Sequence, residues 1–301
     1  MPTTIFVALL FFFGIAVGSF TNVLIDRYKP EKSLFSLKRL RGRSHCDSCG
    51  RTLSAIELIP IASFIFLRGK CRECKSRLSF QYPLVEVVTG AIFAGVPLFL
   101  NSFYNISGGR FFLFAAEWWY YALAAFWVIV CLGLLIVFVI DLKHYIVPDE
   151  LNLFFIIVGI LIISILWNFR DSVFPFRESF LKNYVLVFSP FLGLLANRIL
   201  GFAAGGLFFL ILFFASRGRG MGMGDVKLAF ALGLLFGWPD VGLSIIISFI
   251  LGGVFSLALF IAGAKTMKDR VPFAPFLVTG IAATFFFGHA LIGWYFSLFG
   301  M

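Results

Sequence analysis

Two sets of side chains in this sequence have types and spacing suited to chemistry. Asp225 stands in "RGRGMGMGDVKL", residues 217–228, where four glycines and two arginines lead into a hydrophobic stretch. Asp141 stands in "FVIDLKHYIVPDELN", directly after an apolar run instead of opening one. The second set is cysteine: Cys46-x2-Cys49 in "HCDSCG" and Cys71-x2-Cys74 in "KCRECK", with 21 residues between the pairs. Two carboxyls brought within hydrogen-bond reach cannot easily both ionise, so they share a proton. The ionised member then draws a proton from water attacking a peptide carbonyl, and the protonated member hydrogen-bonds that carbonyl and helps the amine leave. Such a pair titrates as a unit. Four thiolates on two knuckles close a tetrahedral shell around zinc.

The elements that must position these groups are membrane helices. Apolar residues make up 60% of the 301 residues and charged residues 13%, with a mean hydropathy of +0.99. Soluble domains carry roughly 45–50% apolar and about 25% charged. Apolar runs predict spans at 4–24, 84–100, 112–140, 151–167, 185–216, 226–238, 241–263 and 274–298. Asn197 and Arg198 divide the fifth, so that 185–196 is expected at the interface or re-entering while 199–216 crosses. The sixth is short and contains glycine, as expected of a helix that begins below the membrane surface in a protein-lined cavity. The fold class is therefore an all-α polytopic membrane protein with about eight transmembrane helices.

Charge orients it. With the N-terminus outside, the inside segments and Lys227 hold 20 of the 25 Lys and Arg; Arg110, Arg170, Arg177 and Lys182 lie outside. The net charge of +10 reads as topology and as attraction to anionic lipid of the bilayer, not as nucleic-acid binding. No Lys or Arg precedes the first apolar run and Arg27 and Lys29 follow it, so a retained span is expected, not a cleaved signal peptide. This orientation puts Asp141 and Asp225 on the same cytoplasmic face, each at the inner end of a span, where an ionisable group is a functional candidate by default. The alternative for Asp225 is an N-cap of a helix beginning at Val226. Asp149, after Pro148, is read as capping its own helix. Gly220, Gly222 and Gly224 let backbone approach a substrate or the opposing aspartate.

The chain divides into a first transmembrane helix at 1–24, a Cys-rich cytoplasmic domain at 25–83 and a membrane-embedded domain at 84–301. The middle segment is the one sizeable polar stretch, and a metal would supply the folding energy that its small core lacks. Thiols stay reduced in the cytoplasm, which disfavours disulfides. His45 beside the first knuckle is read as a bystander and Cys131 as a small buried apolar side chain.

In this setting "GMGD", Gly222 to Asp225, matches the GxGD motif of intramembrane aspartyl proteases, and the chain resembles the type IV prepilin peptidases. "GSFTNVLIDR", the Cys knuckles, "LIPIASFIFLRGKCRECKSRLSFQYPLVE", "DLKHYIVPDELNL", "GMGMGDVKLAFALGLLFGW" and "VPFAPFL" follow in the family's order from about residue 17 to 280. The resemblance implies a bacterial inner-membrane enzyme that cuts the basic leader from type IV prepilins and pseudopilins at the cytoplasmic face, with Asp141 and Asp225 catalytic. Members with the Cys-rich segment commonly also methylate the new N-terminal amine with S-adenosylmethionine, and that activity is carried over with all four cysteines. No Gly-rich strand–loop–helix marks where the cosubstrate binds. Asp47 stands where the first knuckle often has proline, Ala274 replaces a more usual glycine, and 168–198 is longer and more apolar than the family pattern. Glu57, Glu73 and Glu86 are candidates to ease repulsion between a basic leader and the positive face, with structural pairing favoured for Glu86. The rivals are a peptidase without methyl transfer, an ion-coupled transporter with a metal module, which would need acids near mid-span, and a non-catalytic assembly factor.

Overall fold

The computed structural model describes residues 3–30, 34, 42–104, 118–169, 179–188, 193–264, 266, 269 and 271–300. Eight long helices carry them: α1 (Thr3–Asp26), α2 (Gln81–Tyr104), α3 (Trp118–His144), α4 (Asp149–Asn168), α5 (Leu194–Ala215), α6 (Met223–Phe236), α7 (Asp240–Ile261) and α8 (Ala274–Ser297). All but α6 are long and apolar enough to cross a membrane. At 14 residues, α6 is about 21 Å long against a hydrocarbon core of about 30 Å. On α7, Ile246, Ile250, Val254 and Leu257 form an exposed stripe at helical spacing, as a lipid-facing surface requires. The expected third span starts in residues 112–117, outside the described residues, as do Arg110, Arg170 and Arg177.

The chain forms two compact units, and α3 gives residues 127–136 to the first and the rest to the second. In the first unit α1 packs along α2 through glycine. A Cβ on Gly18 would stand 2.7 Å from Glu86 Cα, and one on Gly14 2.9 Å from Gly90 Cα. The Cys-rich segment has no strand ladder among its described residues, only short helical turns such as Ala62–Phe66 and two isolated bridges. Cys131 is half-buried on α3, not fully enclosed as the sequence suggests.

In the second unit α5 and α6 meet backbone to backbone. A Cβ on Gly201 would lie 2.5 Å from Gly233 O and from Gly237 Cα, and one on Gly233 2.2 Å from Gly201 O. Gly201→Ala is therefore expected to lower thermal stability by about 1–3 kcal/mol, because only backbone can give way. Gly253→Ala, with open space around it, leaves stability unchanged or raises it by up to about 1 kcal/mol. Thermal unfolding of both variants in detergent tests the contrast.

The fifth span differs from the sequence reading. A single helical turn covers Val185–Phe188, residues 189–192 lie outside the described residues, and the crossing helix already begins at Leu194. Asn197 and Arg198 do not divide it. Both are buried in its first turns and tied to the end of α6: the Arg198 side chain donates to the Leu235 carbonyl, and the Asn197 backbone carbonyl accepts the Trp238 N–H at 2.9 Å. A cation at a helix C-terminus also complements the helix dipole. Beside them Asp240 is fully buried, accepting the Ser179 hydroxyl at 2.8 Å and the Phe180 N–H at 3.2 Å.

Candidate active site and metal centre

Asp141 lies in the last turn of α3 and is 4% exposed. Its carboxylate meets the backbone N–H of Ala274 at the start of α8, while Oδ2 is buried without a hydrogen-bond partner among the described residues. An unpaired acceptor away from water is costly, so such an atom in a folded protein asks for a ligand, a water or a proton. Asp225 is 9% exposed and is the third residue of α6, whose N-cap is Gly222. It is not the N-cap of a helix starting at Val226; it caps α6 from the third position, its Oδ2 reaching back to accept the Gly222 N–H at 3.3 Å. The two carboxyls are close enough that the charge of Asp141 acts on Asp225. Among the described residues no cationic side chain acts on either, which separates this pair from a structural ion pair.

The glycines before Asp225 have separate tasks. Gly224 brings α6 against the loop after α3, where an added Cβ would lie 3.2 Å from Val147 Cβ. Gly222 has ordinary extended backbone and faces the Asp225 carboxylate. Gly220 packs on Ser216 and near neither aspartate, whereas Gly218, at φ +69°, occupies the left-handed conformation that glycine favours. Asp149 makes no side-chain cap on α4; both its oxygens accept from Lys227 Nζ, at 2.8 and 2.9 Å, tying the first turns of α4 and α6 together.

Asn152 is a residue that the sequence reading passes over. It is 5% exposed, and among the described residues neither amide atom of its side chain has a hydrogen-bond partner. Gly159, two turns further along α4, would place a Cβ 3.5 Å from Leu235 Cα, so this stripe of α4 faces α6. Stepping back two turns on both helices sets Asn152 level with Leu228, about one turn above Asp225. The helices run in the same direction, so side chains on α4 tilt toward the Asp225 end. The sequence signal was an amide occupying a position of the apolar series Phe155, Gly159, Ile162 and Leu166.

The cysteine knuckles repeat one backbone design. Cys46 N–H donates to Arg51 O and Gly50 N–H to Cys46 O; Cys71 N–H donates to Ser76 O and Lys75 N–H to Cys71 O. Gly50 at φ +70° and Lys75 at φ +57° make the equivalent left-handed turn. The four Sγ atoms lie within 4.8 Å of one another, and Cys46 and Cys74 are 3.8 Å apart. A tetrahedron with metal–sulfur bonds of about 2.3 Å has sulfurs roughly 3.8 Å apart. The four side chains therefore fit a metal ion, and His45 is outside the cluster. The Cys49 and Ser48 N–H groups bring the Cys46 thiol down to about 6 against the effect of burial. The Arg51 N–H acts the same way on Cys49, but burial and the Cys46 and Cys74 thiols outweigh it and push that thiol up to about 11.

Glu57 and Glu73 both pair with Arg51, and Glu86 accepts the Ile61 N–H at 2.7 Å. These acids are engaged within the first unit.

The chain matches known proteins over nearly its whole length. Residues 12–100 match the Bacterial Peptidase A24 N-terminal domain and residues 128–257 the Type IV leader peptidase family. It is 29% identical to a prepilin leader peptidase/N-methyltransferase of Bacillus subtilis, over 97% of this chain and 98% of the relative. It is 31% identical to one of Burkholderia pseudomallei (96% and 87%) and 27% identical to one of Aeromonas salmonicida (97% and 94%). No solved structure matches significantly. With both halves matched in order and a relative above 30% identity covered almost end to end, the chain belongs to the type IV leader peptidase family.

Proposed function

We propose that this protein is a membrane aspartyl endopeptidase that removes the basic leader from type IV prepilins and pseudopilins, then methylates the new N-terminal amine with S-adenosylmethionine. The observation that supports the reading is that Asp141 and Asp225, two buried carboxyls from separate helices, lie near enough for the charge of one to act on the other, with one oxygen of Asp141 lacking a hydrogen-bond partner among the described residues. One carboxylate activates water for attack on the scissile carbonyl; the other, holding the shared proton, hydrogen-bonds the carbonyl oxygen and then protonates the departing amine. The Ala274 and Gly222 N–H groups hold the two carboxyls in place. The N-terminus lies outside the bacterial inner membrane, which puts both aspartates and the Cys-rich segment on the cytoplasmic side. Zinc is the ion for Cys46, Cys49, Cys71 and Cys74, where it braces the segment.

Co-expression with a prepilin followed by mass measurement of the product tests both activities. The expected product has lost its leader and gained 14 Da, about one methyl group in place of a hydrogen. Uncut precursor removes the peptidase reading, and a cut but unmodified product removes methyl transfer.

Within this reading the Asn152 amide positions the peptide at the aspartates, since a peptide group offers both the donor and the acceptor it lacks. Asn152→Leu is expected to lower kcat/KM about 10- to 100-fold, the loss of one or two buried hydrogen bonds, while thermal stability holds or rises. Unchanged kinetics with raised stability would show an amide that only burdens the fold.

A further inference from the structure

The first unit holds a partly open cavity of about 320 Å³. Its wall comes from the end of α1, the first Cys knuckle with the residues just after it, and the segment running into α2. "GSFTNVLIDR" at the end of α1 supplies Ser19, Asn22 and Asp26, and the segment running into α2 supplies Ser63, Tyr82 and Glu86. Two of the sequence strings that mark the family thus converge on one space, with Cys46 and Cys71 at its edge.

The wall is held in place by its own hydrogen bonds. Asn22 Nδ2 donates to the Tyr82 carbonyl at 3.1 Å, and the Tyr82 phenol meets the Asp26 carboxylate. Glu86 accepts the Ile61 N–H at 2.7 Å and the Ser19 hydroxyl, which holds Ile61 at φ +59°. A gap left by imperfect packing would be apolar and would not be lined by mutually oriented polar groups.

Charge indicates what belongs there. Residues 25–83 hold 13 Lys and Arg against five acids, yet the cavity wall carries four carboxylates and two guanidiniums. One carboxylate, Glu57, is matched by Arg51. A local reversal of sign in a basic segment selects a cation. Phe64 and four leucines supply an apolar side for a flat base, and the volume is at the lower end of the roughly 300–1,000 Å³ range of small-ligand pockets. We propose that this cavity binds S-adenosylmethionine, with its acidic wall facing the sulfonium and ammonium charges and its apolar side facing the adenine. The proposal rests on the methylation reading above and gives it a location. It also gives a preference: the demethylated thioether product has no sulfonium charge and is held less tightly.

Calorimetric titration of the full chain in lipid nanodiscs, with metal bound, tests the assignment using S-adenosylmethionine and S-adenosylhomocysteine as probes. Saturable binding is expected, with the sulfonium preferred. Val23→Phe, which fills the cavity, abolishes it. Asp26→Asn changes an exposed residue and keeps an oxygen to accept from the Tyr82 phenol; it weakens sulfonium binding about tenfold and narrows the preference over the thioether. Unfolding temperature and metal content serve as folding controls. Absence of saturable binding to the parent chain overturns the proposal, as does parental affinity in both variants. Asp225→Asn separates the two readings: it retains full affinity for the probes. If it also retains leader cleavage, the aspartate pair fails while the cavity stands; if cleavage is lost and the parent chain binds no probe, the cavity fails while the pair stands.

Discussion

Asp141→Asn and Asp225→Asn are each expected to lower the rate of leader cleavage by about 10³-fold or more, with the folded protein at least as stable as the parent. General acid–base catalysis contributes roughly 10²–10⁴-fold, and the shared proton makes each carboxyl necessary for the work of the other. Asparagine keeps the volume and one acceptor oxygen, so the N–H groups of Ala274 and Gly222 keep a partner. It removes the mutual repulsion of two buried acids, so the unfolding temperature should not fall. Initial rates on a purified prepilin in nanodiscs, set beside thermal unfolding, decide the matter. A rate within tenfold of the parent for either variant shows that its aspartate is not in the pair, and the transporter and assembly-factor readings would regain standing.

Metal loss should produce the second large effect. The Cys-rich segment buries little: Ile56, Leu58, Ile59, Ile65 and Phe66 are all exposed, and its backbone is tied mainly through the two knuckles. Structural zinc contributes about 10–16 kcal/mol in comparable small modules, far more than these contacts supply. Cys46→Ser with Cys71→Ser, or prolonged chelation, is expected to leave residues 42–79 unfolded and cut rapidly by added protease, while bound metal falls to zero. Slow proteolysis of the metal-free chain would show that the segment folds without the ion. Retention should depend on pH through the thiols. A lowered thiol pKa means the thiolate is present above that value and lost below it, so apparent affinity should fall one proton more steeply below about 6, where Cys46 joins the competition. Zinc release followed with a chromogenic chelator across pH 5–8 measures that change of slope.

Much of the architecture could be read from the sequence because lipid imposes a strict rule: apolar runs must become helices, and the charges between them fall on one side. The knuckle spacing was equally legible, since few arrangements bring two Cys-x2-Cys pairs together except around an ion. What escaped depended on partners far away in the chain. Arg198 looked like a break in a span because its acceptor, the Leu235 carbonyl, lies on another helix. Asp225 kept an N-cap as its alternative reading because the glycine-rich run hides where α6 begins, at Met223, three residues before the expected Val226. Asn152 and the Tyr82 cavity were invisible for the same reason. A single amide in an apolar stripe, or a tyrosine beside a proline, acquires meaning only when tertiary packing gives it neighbours or withholds them.

The anchoring of α6 has a bearing on the depth of the site. A helix of 14 residues cannot take its vertical position from the two lipid surfaces, since it does not reach both. Instead its far end hangs from Arg198 and Asn197, and its flank is clamped against Gly201. Asp225 is thereby plumbed to the protein and not to the bilayer. In thicker or thinner membranes the long helices adjust by tilting, while the level of this acid relative to α5 stays constant.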